Sequence, residues 1–195
     1  DGTLLNGESK VDKATAEAIQ TLKDNGYEPF IATGRSPAET RDIMESANIH
    51  SGIFMNGQVV LYRDQLVYSS EIPTETVEKF HQMVKEDGYG LTAYNHEQFY
   101  LVASSEGAKD AYGFIHTNPP ALKEDFYQEN PVNMLLFICL PPAEEKYKEA
   151  FPHLDFLRNT PYSVDVITKG NSKAEGIKRF LEYLNQEDAK TFAFG

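Results

Sequence analysis

A chain of 195 residues, 41% of them hydrophobic, has room for one large or two small domains with buried cores. Its 30 acidic residues against 18 basic ones leave a net charge of −12, which argues against nucleic acid or an anionic membrane as partner, since no basic patch offsets the repulsion. No run reaches the ~18 apolar residues of a membrane span and no signal-peptide pattern appears, so the cytoplasm is the expected location.

Asp1-Gly2-Thr3-Leu4-Leu5-Asn6 reads as a chain leaving a strand through a tight turn, with Gly2 allowing the bend. From Asp12 to Asn25 the pattern is helical. Asp12 is the N-cap, Ala18, Ile19 and Leu22 share a face, and Gly26 is the stop. Tyr27 to Ala32 is a short strand. Ser36-Pro37-Ala38-Glu39 is a capping box with Pro at the first helical position. Thr33-Gly34-Arg35 is therefore a strand-to-helix connection at the carboxyl edge of a sheet, where α/β folds bind ligands. The Thr33 hydroxyl, the Gly34 N–H and the helix N-terminus can all point at one anion. Arg35 either binds substrate or pairs with a surface carboxylate. Ile53-Phe54-Met55 is a further strand, and Asn56-Gly57 turns it into a hairpin. Val59–Tyr62 and Leu66–Tyr68 flank Arg63-Asp64-Gln65 as a second hairpin.

The organisation changes near Glu71-Ile72-Pro73. A helix over Thr74–Asp87 buries Val77, Phe80 and Val84, with Gly88 as its stop. Strands over Leu91–Tyr94 and Gln98–Val102 follow, around Asn95-His96-Glu97. Tyr94, His96 and Phe99 read as hairpin surface and core rather than a recognition set. A helix over Ser105–His116, a strand over Asn133–Leu140, a helix over Glu144–Phe151 and a strand opening at Phe156-Leu157 complete this block. Cys139, alone of its kind, sits in an apolar run and reads as a buried structural thiol. Near Tyr162 the chain is expected to return to the first domain, with Ser163–Ile167 as a core strand. Ser172-Lys173-Ala174-Glu175 is a second capping box, above a buried stripe of Ile177, Phe180, Leu181 and Leu184. Lys173 then stands at the first helical position, which costs roughly a few tenths of a kcal/mol unless an anion is near. Lys169, in the preceding loop, is the other candidate cation. Lys190–Phe194 reads as a final strand.

Taken in order, Asp1-Gly2-Thr3, Ile31-Ala32-Thr33-Gly34-Arg35, Phe54-Met55-Asn56-Gly57 and Lys169-Gly170-Asn171-Ser172-Lys173 resemble the motifs of the haloacid dehalogenase-like phosphatases, in particular the Cof-type branch with a large cap. The resemblance implies an α/β fold, with a Rossmann-like parallel-sheet core (1–72 and 161–195) and an inserted α+β cap (73–160). It also implies Mg²⁺-dependent hydrolysis of small phosphorylated metabolites, sugar phosphates or similar monoesters, through an aspartyl-phosphate. By this resemblance Asp1 is the acid–base catalyst and its backbone carbonyl is a metal ligand. Thr33, Gly34 and Lys173 hold the phosphoryl oxygens, and Arg35, Asn56 and Gly57 are substrate contacts. The family's attacking carboxylate falls two positions before Asp1, and its acidic fourth motif would begin at Gly195. Both ends are thus expected to stop inside a motif, with the remaining metal ligands outside the given sequence, and the piece by itself is expected to be inactive. A phosphomutase on the same scaffold, or a non-catalytic binding domain lacking its nucleophile, are the alternatives. A monomer or small homo-oligomer is expected. His50, His81, His96, His116 and His153 are scattered without zinc-site spacing, and no P-loop, GxSxG elbow or dinucleotide fingerprint occurs.

Overall fold

In the computed structural model, which describes residues 3–195, Asp12 is the N-cap of helix α1 (Lys13–Asp24). Its carboxylate accepts from Asn6 Nδ2 at 2.7 Å instead of closing the cap. The strand expected over Tyr27–Ala32 shrinks to β1 (Ile31–Ala32), because Pro29 has no N–H to give a ladder. Helix α2 (Pro37–Ala47) starts with a complete capping box: Ser36 N–H donates to Glu39 Oε2 at 2.7 Å, and Glu39 N–H donates to Ser36 Oγ at 3.3 Å. The chain then enters β2 (Gly52–Phe54), parallel to β1, and doubles back through β3 (Val59–Tyr62), antiparallel to β2. Arg63 and Asp64, at φ 50° and 63°, form the tight turn into β4 (Gln65–Ser69), a conformation matched to hairpin twist. The resulting sheet has the order β1-β2-β3-β4.

Residues Ser69–Asn171 form a separate unit around an antiparallel sheet. Helix α3 (Thr74–Asp87) leads into β5 (Gly90–Tyr94) and β6 (Phe99–Ala103). Helices α4 (Ala108–Phe114) and α5 (Phe126–Glu129) precede β7 (Met134–Ile138). Helix α6 (Glu144–Ala150) then precedes the hairpin β8 (Leu154–Thr160) and β9 (Ser163–Thr168). The strand order is β6-β5-β7-β9-β8. Side-chain alternation along β7 divides the core. Leu135 and Phe137 join Val77, Phe80 and Val84 of α3, while Ile138 joins Ala111 and Tyr112 of α4. Phe80 is the hub, its ring 5.0 Å from those of Tyr147 and Phe151 and 5.5 Å from that of Phe137. Cys139 is buried in the same core, and burial pushes its thiol up to about 11, as expected of a structural cysteine.

The strand Ser163–Ile167, expected in the first domain, belongs instead to this second sheet. As β9 it lies between β7 and β8, and its Val164 and Val166 complete the second unit's core. The tight turn at Pro161-Tyr162 pairs it with its own neighbour, the least entropically demanding partner. The unit boundaries accordingly fall after Tyr68 and before Ser172, rather than at 72 and 161. Both crossings are stitched within the second unit. Ser70 Oγ lies 2.7 Å from Thr168 Oγ1, and the Asn171 amide donates to both at 3.2 and 2.7 Å.

Helix α7 (Lys173–Tyr183) belongs to the first unit and closes its core: Phe180 is buried with Ile53 and Val60, and Ile177 and Leu184 pack beside them. Ser172 caps it by accepting the Glu175 N–H at 3.0 Å. The reciprocal half of the expected capping box is not formed; Glu175 Oε1 faces Arg179 at 3.7 Å instead. Lys190–Phe194 is not a strand. Its Phe192 and Phe194 remain 67% and 80% exposed.

Candidate active site

Three segments of the first unit meet at one place. The first is the loop Thr33-Gly34-Arg35 at the carboxyl end of β1. Thr33 N–H donates to Ile53 O at 2.9 Å, which fixes the loop to β2. Arg35 N–H donates to Thr33 Oγ1 at 3.1 Å. That bond occupies the hydroxyl as an acceptor and leaves its proton to be donated. Among the described residues the Gly34 N–H has no acceptor. The loop thus offers two adjacent donors just ahead of the N-terminus of α2, the arrangement that suits an anion.

The second segment is the turn Met55–Gly57 that follows β2. It has one 3-10-type hydrogen bond, Gln58 N–H to Met55 O at 3.2 Å, but its backbone is left-handed throughout: φ is 48° at Met55, 56° at Asn56 and 96° at Gly57. Such a conformation costs roughly 1–2 kcal/mol at an ordinary residue such as Met55, and less at Asn or Gly. It persists because it is held from the side of the loop: Met55 N–H donates to Arg35 O at 3.0 Å, and Asn56 N–H to Thr33 O at 3.2 Å. The Asn56 amide also lies over Gly34, where a Cβ would stand 3.2 Å from Asn56 Oδ1.

The third segment is the start of α7. A Cβ on Gly57 would fall 2.1 Å from Ser172 O, so the turn and the helix cap are in backbone contact. This places Lys173, exposed at the first position of α7, next to the same cluster. Among the described residues its ammonium has no anionic partner. Lys169 lies in the second unit, its N–H donating to His153 O at 3.1 Å and its Nζ to Pro152 O at 3.3 Å. Asp1 lies outside the described residues.

Among the described residues the site is a set of donors with the Lys173 ammonium beside them. Thr33 O–H, Gly34 N–H, the α7 N-terminus and Lys173 can hold an oxyanion. Among the described residues no group of three His, Cys, Asp or Glu could hold a metal ion. The ligand expected for Mg²⁺, the Asp1 carbonyl, is outside the described residues, so these residues supply no site for the ion. Sequence reasoning found all three segments but missed Gly176, whose Cβ would meet Ile53 Cγ2 at 2.5 Å and Gly57 Cα at 3.2 Å. The signal was present: a glycine inside a helix costs about 1 kcal/mol relative to alanine and marks a close approach.

The family model of the haloacid dehalogenase-like hydrolases matches residues 1–195. The chain belongs to that family. A protein of Bacillus subtilis (strain 168) named "Putative phosphatase YkrA" is 32% identical over 196 residues, covering 100% of this chain and 76% of that protein. Among solved structures, a protein of unassigned function from Geobacillus kaustophilus HTA426 superposes with a TM-score of 0.88 at 27% identity, over 95% of this chain and 73% of the other. The subclass IIB sugar phosphatase BT4131 superposes with a TM-score of 0.78 over 95% and 74% of the two chains; at 24% identity that likeness shows the fold. The α/β class expected for this hydrolase is thus the observed one, with β1 and β2 as its parallel pair. No described helix of this hydrolase is long and apolar enough to cross a membrane.

Proposed function

We propose that the full-length protein hydrolyses phosphate monoesters of small metabolites, sugar phosphates among them. The observation that carries this reading is the convergence of Thr33-Gly34, Asn56-Gly57 and the Lys173 end of α7 into a cluster of donors. A phosphoryl group in flight spreads negative charge over three oxygens, and fixed donors with one cation stabilise it without reorganising. In this reading Thr33 O–H and Gly34 N–H bind two of those oxygens. Lys173 neutralises the charge between the phosphate and an attacking carboxylate. Asp1 gives a proton to the leaving alkoxide and later takes one from the hydrolytic water, a role that rests on family likeness. An aspartyl-phosphate intermediate and a requirement for Mg²⁺ belong to the same proposal. The second unit, inserted between Tyr68 and Ser172, is proposed as the cap that sets substrate choice.

The test is release of inorganic phosphate by the full-length protein from a panel of sugar phosphates, nucleotides and other monoesters, with Mg²⁺ and with EDTA. Metal-dependent turnover that collapses in Thr33→Ala and Lys173→Ala is the expected result. Absence of turnover on every ester rules against the phosphatase reading.

A further inference from the structure

Four glycines among the described residues have positive φ: Gly26, Gly57, Gly88 and Gly170. At Gly26, Gly88 and Gly170 an added Cβ would meet nothing within 4 Å, so each serves only the turn it sits in. Gly57 is different, since its Cβ would lie 2.1 Å from Ser172 O and 2.6 Å from Ser172 C. The facing glycine is Gly176, one turn into α7, whose Cβ would collide with Ile53 at 2.5 Å and press on Gly57 Cα at 3.2 Å. Two glycines on facing segments therefore let the left-handed turn and the first turn of α7 touch without an intervening side chain. The same turn is tied to Thr33-Gly34-Arg35 by the two hydrogen bonds from Met55 N–H and Asn56 N–H.

From this geometry we infer that Gly57 and Gly176 are positioning residues: their contact sets the distance between Lys173 and the donor loop Thr33-Gly34. The inference rests on reading that cluster as the anion site. On the loop side the turn is held by hydrogen bonds; on the helix side the glycine contact sets the spacing. A side chain at the glycine contact must move the helix away from the loop. To bring the Gly57 Cβ from 2.1 Å to an ordinary contact of 3.4 Å or more, the start of α7 has to retreat by more than about 1 Å, a misplacement that can cost on the order of 100-fold in rate. The two glycines also differ in remedy. Gly57 meets backbone, which no substitution removes, whereas Gly176 meets first the branch methyl of Ile53, which Ile53→Leu removes at nearly constant volume.

The experiment uses the full-length protein and four variants: Gly57→Ala, Gly176→Ala, Gly176→Ala with Ile53→Leu, and Gly88→Ala as a strained glycine outside the cluster. Crystal structures give the separation of the Ser172-Lys173 backbone from Thr33-Gly34. Steady-state kinetics on the best monoester give kcat and KM. Gly57→Ala is expected to widen the separation by more than about 1 Å and lower kcat about 100-fold. Gly176→Ala is expected to do the same to a smaller degree and to recover with Ile53→Leu. Gly88→Ala should lose stability and keep wild-type kcat. An unchanged separation in Gly57→Ala, or a displaced helix with wild-type kcat, overturns the inference. Should Gly57→Ala fail to fold, the Gly176→Ala pair decides, and failure of Ile53→Leu to restore both separation and kcat counts against it. A wild type with no phosphatase activity defeats the proposed function alone, because the separations still decide whether these glycines position α7.

Discussion

The ion pair Arg158–Glu144 allows a quantitative test of what holds the second unit's returning hairpin. The guanidinium donates from Nε to Glu144 Oε1 and from Nη2 to Glu144 Oε2, both at 2.8 Å, a planar two-point match. Its third nitrogen, Nη1, donates to the carbonyls of Cys139, Thr160 and Pro161 at 3.2, 3.3 and 3.0 Å. One side chain thus ties the β8–β9 turn to the end of β7 and to α6. The Glu144 side chain is only 8% exposed and that of Arg158 22%. Arg158→Met therefore leaves a carboxylate nearly out of water, and a loss of about 3 kcal/mol is expected, at the lower end for a broken buried pair because Arg158 is partly wet. Arg158→Met with Glu144→Leu removes both charges, so the double variant should lie within about 1.5 kcal/mol of wild type. The chain has no tryptophan, so urea unfolding is followed by far-ultraviolet circular dichroism at constant m. A single variant costing under about 1 kcal/mol, or a double variant as unstable as the single, refutes the reasoning. The pH dependence follows from Glu144, whose carboxyl the Arg158 guanidinium holds below the usual range. Its folded value is depressed, so the stabilisation is complete above the ordinary glutamate value and disappears as pH falls through the folded one. Arg158→Met should flatten that acid limb.

Other expectations bear on the site and on the core. Thr33→Ala and Lys173→Ala should each lower kcat/KM about 100-fold while leaving the unfolding free energy within about 1.5 kcal/mol of wild type, because both side chains act on the charged transition state, neither is buried, and Thr33→Ala loses one hydrogen bond, from Arg35 N–H. His81 is buried, with Nε2 against Val102 O at 2.8 Å and Nδ1 against Tyr127 O–H at 3.0 Å. The carbonyl can only accept, so Nε2 carries the proton and Tyr127 donates to Nδ1. Burial pushes His81 below its ordinary value. Stability is therefore full above about 6.5 and declines as pH falls toward the folded value; nitrogen-15 NMR should show a neutral ring with a protonated Nε2 at pH 6.5, and a charged ring there would sink this account. Cys139, pushed up to about 11 by burial, should resist a disulfide reagent at pH 8 in the folded protein and react fully in urea.

The local grammar of the chain was legible wherever the physics is local. Ser36-Pro37-Ala38-Glu39 states the start of α2 in four residues, because a capping box satisfies its own orphan N–H groups. The apolar spacing of Val77, Phe80 and Val84 marks the buried face of α3, whose bounds are those expected. Motif order was enough to point to the family and to pick Thr33, Gly34, Asn56, Gly57 and Lys173 as candidates. The allocation of Ser163–Ile167 was not legible. A strand of Val and Ile in alternation fits either sheet, and pairing with the neighbouring β8 through a tight turn decided it. Lys190–Phe194 carries strand-forming residues too, yet propensity by itself makes no ladder.

By itself, then, the sequence determined which segments bend, cap and bury, since those choices are made within a few residues. Tertiary structure alone decided that the backbone turns left-handed at Met55 and Asn56, that Gly57 and Gly176 face each other, and that Lys169 and Lys173 fall in different units. A backbone forced into the left-handed region has no readable code at a methionine. It exists because Arg35 O and Thr33 O, about twenty residues back along the chain, accept the two N–H groups that hold it there.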